Sequence, residues 1–170
     1  MKRSLKILSL IALTLLLAGQ STFAQRPASS CQNVFANGVS ALGLVEISPG
    51  VFGFGAQPTP TTLGNVPGML MSIITSMSAS GQGAQHFTLQ HRFDSTDPAR
   101  PGTFITEDRA VCGPAGSDPN VCRVNDVLSI VSGTGIFANA DGKLHNNGII
   151  DLAAQTVSFS LRGRMCGDGL

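Results

Sequence analysis

Along His86-Phe-Thr-Leu-Gln-His-Arg-Phe93, Phe87, Leu89, His91 and Phe93 fall on one side of an extended chain, and His86, Thr88, Gln90 and Arg92 on the other. A period of two is what a strand needs to bury one face and wet the other. Thr156 to Met165 repeats it, with Val157, Phe159, Leu161 and Met165 inward and Ser158, Ser160, Arg162 and Arg164 outward. Such strands are half-buried and antiparallel. The same reading predicts strands over Asn33–Ile47, Val51–Gln57, Met69–Ser80, Thr103–Val111, Arg123–Val131 and Lys143–Leu152. Gln57–Gly68, which holds Pro58, Pro60 and Pro67, reads as a loop.

No stretch pairs a helical apolar period with caps at both ends. Turn signals such as Ser48-Pro-Gly50, Pro101-Gly102 and Asp141-Gly142 separate the strands. Seven to nine strands with short polar connections imply a sandwich or a barrel. Closure favours the barrel, since it removes the apolar edges that an open sheet would expose.

The N-terminus reads differently. Lys2, Arg3 and Lys6 precede the apolar run Ile7–Ala18, and Thr22-Phe-Ala24 offers small residues before a cut, so residues 1–24 are expected to be a cleaved signal peptide and residues 25–170 one barrel domain. The run is too short to span a bilayer. Leu17-Ala-Gly19 is followed by Gln20 rather than by a cysteine that could carry lipid, so no membrane anchor is expected. The expected location is exported, periplasmic or extracellular.

Removal of Lys2, Arg3 and Lys6 from eleven basic residues leaves eight against ten acids, a net charge of −2. That balance gives no basic footprint for nucleic acid. In an oxidising compartment the even set Cys31, Cys112, Cys122 and Cys166 points to disulfides. Of three connectivities, Cys112–Cys122 with Cys31–Cys166 is favoured. The first would close the turn-rich segment Gly113–Val121, and the second would tie the start of the domain to its last strand. No Cys-x-x-Cys or His-x-x-x-His spacing speaks for zinc, and no metal or cofactor is expected.

The most distinctive local pattern runs from Asn125 to Gly142: an apolar strand enters Gly133-Thr-Gly135, Phe137 follows, and Asp141-Gly142 turns the chain into the next strand. This resembles the allene oxide cyclase and dirigent-type barrel group, as a secreted bacterial relative. The likeness extends loosely from Gly102 to Gly163. It implies an all-β fold, a closed antiparallel eight-stranded barrel with an apolar cavity, assembly into homo-oligomers, and a hydrophobic small molecule held inside. The glycines read mainly as corners of the fold. No residue of a family active site maps onto this chain.

Chemistry read from the residues themselves is sparse. His91 shares a face with Phe87, Leu89 and Phe93, so it is an ionisable group directed at an apolar interior and the one weak catalytic candidate. Glu107 and Asp108 are adjacent and must point to opposite faces, so at most one enters the barrel. Asp126 lies on the face of Val124, Leu128 and Ile130, and Asn146 on that of Leu144, Ile150 and Leu152. With Phe159 these residues make up the expected barrel-interior set. No Gly-x-Ser-x-Gly elbow, phosphate loop or dinucleotide fingerprint occurs. The leading expectation is a barrel that binds an apolar or amphipathic small molecule without dependable catalytic machinery. The alternative is an isomerase or cyclase acting on an oxygenated, unsaturated, lipid-like substrate.

Overall fold

The computed structural model describes residues 30–80 and 83–170. The expected signal peptide and its cleavage point lie outside them. Nine strands follow one another: β1 (Ser30–Ser48), β2 (Val51–Ala56), β3 (Thr59–Leu63), β4 (Val66–Ala79), β5 (Gln85–Ser95), β6 (Thr103–Pro114), β7 (Val121–Gly133), β8 (Asp141–Asp151) and β9 (Thr156–Gly167). They form one sheet in the order β2-β1-β9-β8-β7-β6-β5-β4-β3, with every pairing antiparallel. The sheet curls into a nearly closed barrel.

Two details differ from the expectation of eight strands and full closure. Gln57–Gly68 is not a loop: Thr59–Leu63 forms an edge strand that pairs with Val66–Leu70. An edge tolerates Pro60 because one side of its backbone has no partner strand. The second difference is the seam, where β2 packs on β4 without a ladder. Val45 and Ile47 cluster with Met71 and Ile73 there. A Cβ on Gly55 would lie 1.9 Å from the Ser72 carbonyl oxygen, so only glycine lets these backbones approach. Ala56 N donates to Ser72 Oγ and Ser40 Oγ donates to the Gln57 carbonyl, which adds polar contacts at this junction.

Inside, one large core joins Val34, Leu70, Phe93, Phe104, Leu128, Phe137, Leu144 and Met165 with their neighbours. A smaller one joins Phe87, Ala110, Cys112 and Val124. The Gly133-Thr-Gly135 corner serves the first. Gly135 takes a φ of +59°, and a Cβ on Gly133 would stand 2.0 Å from the Phe137 carbonyl oxygen. The tight re-entry, a single 3-10 turn over Gly135–Phe137, drives the Phe137 ring inward. It meets Phe93 and Phe104 edge-on at centroid distances of 5.7 and 5.1 Å. This is favourable aromatic geometry at the barrel's heart.

Cys31 pairs with Cys166 and Cys112 with Cys122. The first bridge joins residues directly opposed in the β1–β9 ladder, and the second staples the β6–β7 hairpin. Two disulfides fit an oxidising compartment. Leu152, expected on an inward face, lies one residue beyond β8 and is exposed, because the strand ends in the Asp151–Gln155 turn.

Candidate functional site

All seven buried polar side chains among the described residues are Ser40, Ser72, His91, Thr106, Asp108, Asp126 and Asn146. On β5 to β8 they form a belt between the two apolar cores. His91 stands between Leu89 and Phe93, Asp108 with Thr106 between Ala110 and Phe104, Asp126 between Val124 and Leu128, and Asn146 follows Leu144. Each strand gives up one or two inward positions at the same height, which an apolar core alone would not require.

The belt is knit around Asp108. Its Oδ2 accepts from His91 Nδ1 at 2.6 Å and from Thr106 Oγ1 at 2.9 Å, while the His91 amide donates to Thr106 Oγ1 at 3.2 Å. The bond from Nδ1 leaves His91 Nε2 as the ring's other polar atom. Asp108 Oδ1, Asp126 Oδ1 and Asn146 Oδ1 are buried and have no hydrogen-bond partner in the protein. Asp126 and Asn146 stand opposite one another in the β7–β8 ladder. Three unpartnered oxygens in one layer leave the belt with unused hydrogen-bonding capacity.

Electrostatics agree with the geometry. Burial by itself would lower the pKa of His91, but the hydrogen bond and charge of Asp108, helped by the charge of Asp126, outweigh it and hold the imidazole above its ordinary value. Burial raises Asp126 to about 6, with the Asp108 carboxylate pushing the same way and the His91 charge and the Val127 amide opposing. A carboxyl group that titrates close to neutrality can lend or take a proton.

His91, Asp108 and Asp126 offer ligand atoms within 4.8 Å of one another, a spacing at which a cation could be considered. However, 2.6 Å between His91 Nδ1 and Asp108 Oδ2 is shorter than the roughly 3 Å that separates two ligands on one ion at usual metal–ligand distances. The pair is built as a hydrogen bond.

A cavity of about 40 Å³ opens beside the belt, lined by His91, Asn146, Ser40, Met71, Val157 and Phe159 among others. Of the residues expected in the interior, it therefore gathers His91, Asn146 and Phe159, with Asp126 next to His91. Phe87, Leu89 and Phe93 do not line it. They stand two residues or more along the strand, a rise of roughly 7 Å per inward step, and pack into the apolar cores on either side. His86 and His145 face solvent.

Sequence reasoning left Asp108 undecided against Glu107 and passed over Thr106 and Ser40. The signal for the first two was present: Phe104, Thr106, Asp108, Ala110 and Cys112 alternate without a break, and all five are buried.

No family model matches the chain, and no curated protein matches it. Solved structures similar to it include two pterocarpan synthases. The pterocarpan synthase GePTS1 is 14% identical, over 84% of this chain and 90% of that one, with a TM-score of 0.48. For the pterocarpan synthase PsPTS1 the values are 13%, 84%, 97% and 0.47. Both are dirigent proteins.

Proposed function

We propose that this is an exported barrel that holds a small amphipathic molecule in its interior, with hydroxyl or other donor groups on the polar belt and an apolar body against Leu70, Met71, Val157, Phe159 and Leu161. One observation carries the reading: a cavity whose polar wall includes His91 and Asn146, within a belt that keeps three acceptor oxygens unpartnered, and whose other wall is apolar. Convergent polar groups in an apolar recess are the ordinary anatomy of a ligand site. A cavity of about 40 Å³ admits a hydroxyl-sized group. The rest of a ligand enters by displacing the β2 side of the seam, where Ala56 lines the same cavity. Native mass spectrometry of protein purified from its own host tests this. Wild-type protein should carry a bound small molecule that Asn146→Leu loses. Wild-type protein with no adduct, or an adduct unaffected by Asn146→Leu, would overturn the reading.

The alternative is an isomerase or cyclase that steers an oxygenated, unsaturated substrate, and the raised pKa of Asp126 beside His91 favours it. In that case Asp126 supplies the proton and the His91–Asp108 pair holds the compensating charge. Turnover of an unsaturated fatty-acid epoxide that Asp126→Asn abolishes, with the fold intact by circular dichroism, would support catalysis. Absence of turnover by the wild-type protein would remove it.

A further inference from the structure

The outer face of β8 and β9 carries a contradiction that folding does not explain. Lys143 stands directly opposite Arg164, and His145 directly opposite Arg162. Lys143 and Arg164 are like charges, and like charges in direct cross-strand register destabilise a sheet. All four side chains are exposed, and none takes part in the ion pairs among the described residues. They form a two-by-two grid with spacings of roughly 5 Å across the strands and 7 Å along them.

The flanking strands do not neutralise the grid. Ser129 and Val127 of β7 oppose Lys143 and His145, and Asn33 and Phe35 of β1 oppose Arg164 and Arg162. Arg109 of β6, opposite Val127, adds a further positive charge to the same row. The nearest acids on this face are Asp141, two residues before Lys143, and Glu107, opposite Ser129. By contrast, Arg92 and Arg100 elsewhere are each paired with an aspartate. Cations have been left free on one face of a domain whose formal net charge, once Lys2, Arg3 and Lys6 are removed, is −2.

We propose that this face docks on the surface of a lipid bilayer rich in anionic headgroups. Guanidinium groups suit phosphate because their forked donors match two oxygens at once. Apolar side chains in the same rows select a bilayer over a polyanionic chain. Phe35, 54% exposed, stands beside Arg162, and the partly exposed Val127 stands beside His145. A sulfated polysaccharide offers phosphate-like charge but no apolar phase for that ring. The ring instead enters the interfacial layer while the cations meet the headgroups.

The test is cosedimentation of the intact protein with vesicles of phosphatidylcholine, with and without an equal share of phosphatidylglycerol. Wild-type protein should bind only the anionic vesicles, and added salt should release it. Each basic residue contributes roughly five-fold to binding at such a surface. Lys143→Glu with Arg162→Glu should therefore weaken binding by about 25-fold or more. Both substitutions place an acid opposite a base, so the variant should melt no lower than wild type, which separates lost binding from lost folding. Phe35→Ser should weaken binding while leaving the preference for anionic lipid. The proposal fails if wild-type protein ignores anionic vesicles, if the double variant binds as well, or if heparin is bound and vesicles are not.

Discussion

Asp126 and Asn146 face each other across the β7–β8 ladder, and each keeps one buried oxygen without a hydrogen-bond partner in the protein. The arrangement is costly for folding, since an unpartnered buried acceptor forfeits roughly 1–3 kcal/mol. Between about pH 4 and 6 Asp126 holds a proton in the folded state that it releases in the unfolded chain, because its pKa moves from 3.8 to about 6. Its contribution to stability is thus complete below about pH 4 and is lost as pH rises through 6. His91, raised above 6.5, acts in the same direction at higher pH. Asp126→Asn should therefore stabilise the protein by about 3 kcal/mol at pH 7.5 and very little at pH 4 in urea titrations. A difference between variant and wild type that does not change with pH would show that the carboxyl group is not held protonated by its surroundings.

Asp108 gathers the belt, so its loss should be felt at His91. Asp108→Asn keeps the shape but removes the charge that holds the imidazole protonated. The ring protons of His91, followed by NMR, should titrate at lower pH than in wild type. Stability should fall by about 3 kcal/mol, as expected when one member of a buried pair is removed. An unchanged titration would mean that the two residues are not coupled in solution.

The two bridges close loops of very different length, with sequence separations of 135 and 10. Chain entropy then assigns about 5 kcal/mol to Cys31–Cys166 and about 2.7 kcal/mol to Cys112–Cys122. Paired serine substitutions, compared by denaturant unfolding, should reproduce that order. Equal losses would point to an unfolded state that remains compact without its long-range bridge.

Glycines at the re-entrant corner should not tolerate a methyl group. Gly135→Ala combines a φ of +59° with a Cβ 2.0 Å from the Pro101 carbonyl oxygen, and Gly133→Ala meets the Phe137 carbonyl at the same distance. Each should cost about 3 kcal/mol or more. Gly113→Ala, with nothing within 4 Å of the added carbon, should stay within roughly 0.5 kcal/mol of wild type. Thermal melts of the three variants check the contrast.

Much of the barrel was legible because its strands state their inward face plainly. Phe87, Leu89, His91 and Phe93 alternate in β5, and Val124, Asp126, Leu128 and Ile130 in β7. The corner at Gly133 was legible as a turn of the fold. Composition misled at Pro60, where a proline-bearing segment became an edge strand. The belt was harder to read for a different reason. His91, Asp126 and Asn146 could each be placed inward from their own strands, but their common height depends on how the strands slide past one another. Irregularities at Glu46/Ser48, Ile74/Ser76 and Ile105/Thr106 shift that register, and no single strand records them.

Where β2 lies on β4, the wall is held by side chains and a few polar contacts instead of a continuous run of amide bonds. Such a joint can part and reclose without unzipping any strand pair. Deuterium uptake should reveal it: the seam-facing amide of Ala56 should exchange well before those of β8, which is zipped on both sides. The barrel thus combines a rigid frame with one yielding stave.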